Sequence, residues 1–291
     1  MKTYLAVDLG GTKIAAALVR DSIIVRREQV ETPSSQSPSV FTAALKALLL
    51  PLSTETDIVA VASTGIIDGG TLTALNPDNL GGLNHYPLQK VVAEITGRET
   101  VVINDAQAAA WSEYLALGQP VKNMAFITVS TGVGAGLVVD EQLLIGPRGV
   151  AGHAGHMLAD PSGPMCGCGR RGCVESMASG RAIGREGEVH FAAGCSGYTV
   201  YQHFLNGDEK AEAIIRQSAR VIANLIADLT ISLDLEVVAL GGSVGLAECY
   251  IDLVQSYLSQ LPATYQPTLV PATTGADAGL IGVARWAEAN T

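Results

Sequence analysis

Short apolar runs that stop at glycine or at an acid–amide pair punctuate the chain. TYLAVDL (3–9) runs into Gly10-Gly11 and predicts a buried strand entering a tight turn. IAAALV (14–19) and IIVRREQV (23–30) predict two more strands, so the start of the chain reads as an antiparallel meander. IVAVAST (58–64) closes on Gly65, and TVVIND (100–105) ends on Asn104 and Asp105. MAFITVS (124–130) is followed by a glycine turn, TGVGAG (131–136), and a returning strand, LVVD (137–140); EVVALGGS (236–243) is a last strand with its own glycine turn. Helical patterns fill the gaps. Ser37-Pro38 opens one to about Leu49, a cap followed by proline at the first position. Pro87 starts another to about Thr96, and AQAAAWSEYLAL (106–117) is alanine-rich. Thr199 to Leu233 carries a 3.6-residue periodicity, and Val244–Leu261 and Gly279–Ala289 predict further helices. Strands alternating with helices give an α/β class.

The layout repeats. AVDLGGTKIAAALV and FITVSTGVGAGLVV are both strand, glycine turn, strand, which predicts two similar lobes. The expected division is 1–118 and 119–291, with a hinge after Gly118 near Pro120 and a last helix (279–289) able to pack back on the first lobe. The 291 residues suffice for two domains. A net charge of −10, with no basic run longer than Arg26-Arg27 or Arg170-Arg171, argues against nucleic acid and anionic membranes as partners. No stretch reaches the ~20 apolar residues of a membrane span, and MKTYLAVDLGG does not read as a signal peptide. The expected setting is cytoplasmic.

Residues 152–175, GHAGHMLADPSGPMCGCGRRGCVE, set His156, Cys166, Cys168 and Cys173 close together. Three thiolates and an imidazole complete a tetrahedral zinc shell, with no position left for a substrate water, so the expected ion is structural. The glycines at 167, 169 and 172 let the backbone turn tightly enough for the ligands to converge. The alternative is a disulfide cluster or scattered buried cysteines. Asp8-Leu-Gly10-Gly11-Thr12-Lys13 offers backbone N–H groups, a hydroxyl and a positive charge to an anion, with Asp8 placed for Mg²⁺; by itself such a turn is more often only a hairpin. STGVGAG (130–136) is a second such turn, and two could grip one polyphosphate. Asp105 stands at the end of a strand, where ligands bind in open α/β sheets, and would serve equally as a helix cap.

Together these segments resemble the ROK family of sugar kinases and repressors, within the actin-like, hexokinase-type ATPases. DLGGTK and STGVGAG resemble its two phosphate motifs, INDAQAAA its catalytic-aspartate segment, GHAGH…CGCGRRGCVESMASG its zinc signature, and GGS (241–243) the turn by the adenosine. The resemblance runs from Tyr4 to about Ala287. It implies a two-lobed fold with a zinc loop in the second lobe, and it implies residue roles. Asp105 would be the general base toward a sugar 6-hydroxyl. Asn104, Gly65 and Asn79 would lie on the sugar side, with Glu175 and His156 near C1 and C2. Asp8, Gly10, Gly11, Thr12, Lys13, Thr131, Gly132, Val133, Gly134 and Gly136 would serve ATP phosphates and Mg²⁺.

One position departs from the glucose-phosphorylating members. Their Glu-x-x-Gly-His motif begins with glutamate, and here that residue is His153. This fits a sugar with something other than a free 2-hydroxyl; the alternative is that His153 only packs on the zinc loop. The implied reaction is ATP-dependent phosphorylation of the 6-hydroxyl of N-acetylmannosamine, in sialic acid catabolism. A kinase for another hexose (N-acetylglucosamine or glucose) and a non-catalytic sensor or repressor relative are the alternatives. A homodimer is the family expectation.

Overall fold

A computed structural model describes residues 2–33, 37–75 and 80–291. They divide into two compact units. The first comprises Met1–Gly118, Leu143–Gly152 and Thr273–Thr291; the second comprises Gln119–Gln142 and His153–Ala272. The first unit is therefore not one continuous stretch: the chain leaves it, returns briefly, and returns again for its last residues.

The first unit begins with the expected meander, β1 (Tyr4–Leu9), β2 (Lys13–Arg20) and β3 (Ile23–Glu31). Then come α1 (Pro38–Ser53), β4 (Ile58–Ser63), a short hairpin of β5 (Ile66–Asp68) and β6 (Thr71–Thr73), α2 (Leu88–Thr96), β7 (Glu99–Asn104) and α3 (Asp105–Ala116). The main sheet has the order β3-β2-β1-β4-β7. β1 pairs antiparallel with β2 and parallel with β4, and β4 pairs parallel with β7. The pairing register aligns Leu9 with Ser63 and Ser63 with Asn104, so the three parallel strands end level. Asp8, Gly65 and Asn104-Asp105 thus gather at one carboxyl edge, the edge where open α/β sheets take ligands.

Both sheet faces are covered, which explains why β1 and β4 are continuous apolar runs. Phe41, Leu45 and Leu49 of α1 with Leu88 and Val92 of α2 pack on one face. The last helix, Ala278–Asn290, packs Leu280, Val283 and Ala284 against alanines of β1, β2 and β4 on the other. Gly282 lets this helix approach α3 closely: a Cβ there would sit 1.8 Å from the Ala108 carbonyl oxygen.

The second unit repeats the plan with β8 (Met124–Val129), β9 (Val133–Val139), β10 (Gln142–Leu143), β11 (Val237–Gly241) and β12 (Thr268–Pro271), ordered β10-β9-β8-β11-β12. β8 is antiparallel to β9 and parallel to β11. Its helices are α4 (Val174–Ala178), α5 (Gly180–His190), α6 (Gly197–Leu205), α7 (Glu209–Leu233), α8 (Gly242–Gly245) and α9 (Tyr250–Leu258); the helix at 278–290 is α10. Ile215, Ala219, Ile222 and Ile226 of α7 form the buried stripe that its periodicity predicted.

The second glycine turn is shorter than expected. β9 starts at Val133, and Gly134 and Gly136 are strand residues opposite Thr128 and Phe126. Alternation decides this: Val133, Ala135 and Leu137 turn one way into the core, and the glycines fall on the other face. Only 130–132 form the turn. No described helix is long and apolar enough to cross a membrane.

Candidate active site and metal centre

In the first unit, the DLGGTK turn is closed by Gly10 N–H donating to the Lys13 carbonyl at 3.0 Å. Thr32 braces it, its hydroxyl donating to the Gly10 carbonyl at 2.7 Å and its N–H to the Thr12 carbonyl at 3.0 Å. Gly11, Thr12 and Lys13 are exposed at the tip. Beneath them, burial raises the Asp8 carboxyl from the usual 3.8 to about 6; the nearby Asp105 carboxylate raises it too, and Lys13 and Arg27 pull it back only in part. Two carboxylates share one enclosed corner with incomplete compensation. Such a corner fits Mg²⁺, and Asp8 is the residue that would hold it.

This carries a stability prediction. The folded state holds a proton that the unfolded chain releases, so stability falls as pH rises through the window from about 4 to about 6. At pH 7.5 the ionised state, only partly offset by Lys13 and Arg27, costs about 3 kcal/mol at most. Asp8→Asn should therefore be more stable than wild type to urea at pH 7.5, by an amount that vanishes near pH 4, while its turnover falls. A variant less stable at pH 7.5 would overturn this electrostatic account.

Asn104, not Asp105, caps α3. Its side-chain oxygen accepts from the N–H groups of Ala106 and Gln107 at 2.9 and 3.3 Å, and its amide donates to the Gly65 carbonyl at 3.0 Å. The capping alternative for Asp105 is thereby displaced by one residue. Asp105 is the first helical residue, with Oδ1 accepting from Ala106 N–H at 2.8 Å. Gly65, at φ +93°, is pinned beneath Asn104 by that amide bond. Asn79 lies outside the described residues.

In the second unit, Ser130 N–H donates to the Gly132 carbonyl at 2.9 Å and closes the turn that holds Thr131. The Ser130 hydroxyl lies 3.1 Å from that of Ser243, which brings the 241–243 turn beside it. Glu175, in the first turn of α4, sends Oε2 to the Val133 N–H at 3.1 Å. The zinc-loop carboxylate is thus attached to the second phosphate-motif candidate. His153 precedes a 3₁₀ turn, Ala154–His156, and its Nε2 is buried without a hydrogen-bond partner among the described residues. A buried ring nitrogen with no protein partner is open to a hydrogen bond with a water or a ligand group.

His156, Cys166, Cys168 and Cys173 converge with their ligand atoms all within 4.8 Å of one another. All three cysteines are free thiols, which disposes of the disulfide alternative. Gly169 and Gly172 take φ of +86° and +72°, the backward turns that bring the thiols together. The edges of the cluster test the metal. Zn–S bonds of ~2.3 Å at tetrahedral angles put sulfurs ~3.8 Å apart; Cys168 and Cys173 are 3.7 Å apart, and Cys166 Sγ is 3.6 Å from His156 Nδ1. Burial and neighbouring sulfurs push Cys173 up to about 12, and burial raises Cys166 and lowers His156. A neutral imidazole suits ligation. Crowded thiols that resist ionising on their own become favourable once a divalent cation is among them. The donor set fits zinc.

Two further polar side chains of α3, Gln107 and Glu113, are buried. Gln107 completes a capping box with Asn104, a signal readable in the Asn-x-x-Gln spacing. Glu113 accepts hydrogen bonds from the backbone N–H and hydroxyl groups of both Thr273 and Thr274. Its partners are 160 and 161 residues away, and no local pattern announces them.

An N-acetylmannosamine kinase from Citrobacter koseri is 52% identical over 285 residues, spanning 98% of each chain. A ROK hexokinase structure from Thermus thermophilus superposes with a TM-score of 0.87 at 32% identity, covering 99% of both chains. A ROK glucokinase from Streptomyces griseus, solved with glucose and AMPPNP, gives 0.79 at 30% identity over 98% of both. The architecture is the two-lobed actin-like α/β fold of ROK sugar kinases. With residues 4–290 matching the ROK family, this chain belongs to it.

Proposed function

We propose that this chain is an N-acetylmannosamine kinase: it transfers the γ-phosphoryl group of ATP to the sugar 6-hydroxyl, in the cytoplasm and in sialic acid catabolism. The carrying observation is the 52% identity, along nearly the whole chain, to a relative bearing that name. The unpartnered Nε2 of His153 supports an acetamido sugar, because it offers a buried polar group at the position where the family resemblance implies glutamate in glucose-phosphorylating members. The chain works as a homodimer.

Asp105 takes the proton of the 6-hydroxyl as the oxygen attacks. Asn104 serves the ring hydroxyls by sharing or giving up one of its four bonds, because its side-chain amide is already engaged by the N–H groups of Ala106 and Gln107 and by the carbonyls of Ser63 and Gly65. Gly65 serves the sugar side, and the family resemblance assigns Asn79 the same role. His153, His156 and Glu175 recognise the C1/C2 region. The turn of Gly10, Gly11, Thr12 and Lys13, and that of Thr131, Gly132 and Val133 with the start of β9 (Gly134, Gly136), hold ATP phosphates. Asp8 holds Mg²⁺, which neutralises phosphate charge when bound. Phosphoryl transfer asks mainly for positioning and charge stabilisation. His156, Cys166, Cys168 and Cys173 hold a structural zinc that keeps Glu175 in place.

ADP release with ATP, Mg²⁺ and a panel of N-acetylmannosamine, N-acetylglucosamine, glucose and mannose tests this reading. The expected result is the highest kcat/KM on N-acetylmannosamine. Preference for glucose would remove His153 as a specificity residue. No turnover by zinc-replete protein would leave the non-catalytic sensor.

A further inference from the structure

Gln107 is 1% exposed and stands two residues after Asp105. Both ends of its amide are engaged. Oε1 accepts from Asn104 N–H at 3.1 Å, and Nε2 donates to the Ala151 carbonyl at 3.0 Å. The first bond starts α3, and a glutamate would make it equally well. The second does something a helix cap does not need. It reaches Ala151 in the returning segment Leu143–Gly152. Gly152 follows at φ +84°, and His153 is the next residue, where the chain passes into the second unit.

A neutral amide of this length meets both demands at every pH. An ionised glutamate would set a carboxylate against the Ala151 carbonyl, a protonated one would still donate to it, and methionine would leave both backbone groups unpaired. We infer that Gln107 is a positioning residue for phosphoryl transfer, tying the Asn104-Asp105 turn to Ala151 and so fixing where the chain sets out toward His153. This rests on the proposed reading of His153 as a sugar contact.

The discriminating variant is Gln107→Glu in the full-length, zinc-loaded protein. Once its carboxyl is ionised it keeps the acceptor for Asn104 and loses the donor to Ala151, so it is read at alkaline pH and beside Gln107→Met, which loses the donor at every pH. The KM for N-acetylmannosamine should rise about tenfold, while the KM for ATP stays at its wild-type value and, in the uncharged Gln107→Met, so does the pH profile of kcat. An unchanged sugar KM, or an equal rise in both KM values, would overturn the inference. Amide hydrogen exchange reads the tie without turnover: 149–156 should exchange faster in the variant, and 108–116 should not. If wild type phosphorylates no amino sugar, the proposed function fails, and the exchange result still decides the tie. Should the glutamate variant not fold, Gln107→Met is read in the same way. Wild-type protection at 149–156 would then sink the proposal.

Discussion

Asp105→Asn should keep its affinity for the sugar and lose roughly 10²- to 10⁴-fold in kcat, the range expected when a general base is removed. The substitution is unusually clean here. Asp105 Oδ1 accepts from Ala106 N–H, and an asparagine oxygen accepts the same bond, so side-chain placement survives while basicity goes. Helix α3 does not depend on Asp105 for its cap, because Asn104 and Gln107 supply the capping box. The variant also relieves the repulsion that raises Asp8, so no stability loss should accompany the loss of rate. Steady-state kinetics with calorimetric titration of the sugar separates these effects. A variant retaining more than about a tenth of wild-type kcat, well outside the range for a general base, would remove Asp105 from the mechanism.

The second large effect is expected at the metal cluster. Cys168→Ser replaces one thiolate of the tetrahedral set by a hydroxyl that remains protonated and binds zinc weakly. Bound zinc, measured by elemental analysis, should fall from about one per chain to near zero. Sugar affinity should fall with it, because the loop that gathers the ligands also carries His156 and delivers Glu175 to the Val133 N–H. In the metal-free protein the crowded Cys166 and Cys173 thiols stay protonated, leaving nothing to draw the four side chains together. Metal-free protein with wild-type sugar affinity would confine the zinc to stability.

The glycine-turn motifs and the zinc quartet were legible because their physics is local. A buried strand closing on Gly-Gly, or four ligands between 156 and 173, can be recognised without knowing what packs on them. Pro38 and Pro87 announced helix starts for the same reason. β5 and β6 were illegible because three residues show no alternation. β12 was hidden because its four residues include Pro271, which a strand tolerates only at an edge, where β12 lies. In β9 two glycines masked a period-2 strand. At α3, two adjacent residues both suited a cap, and only the hydrogen bonds assigned it to Asn104.

By itself, then, the sequence determined the repeated strand-turn-strand plan, the zinc donor set and the acid–amide pair at the end of β7. Each is written within about twenty residues, where chain geometry limits the possible partners. Only the tertiary structure decided that 143–152 and 273–291 belong with the first unit, that Gln107 reaches Ala151 and that Glu113 holds Thr273 and Thr274. Those contacts join residues 44 to 161 positions apart. Burial of whole faces and the demand that every enclosed polar group find a partner select them, and neither acts through local pattern.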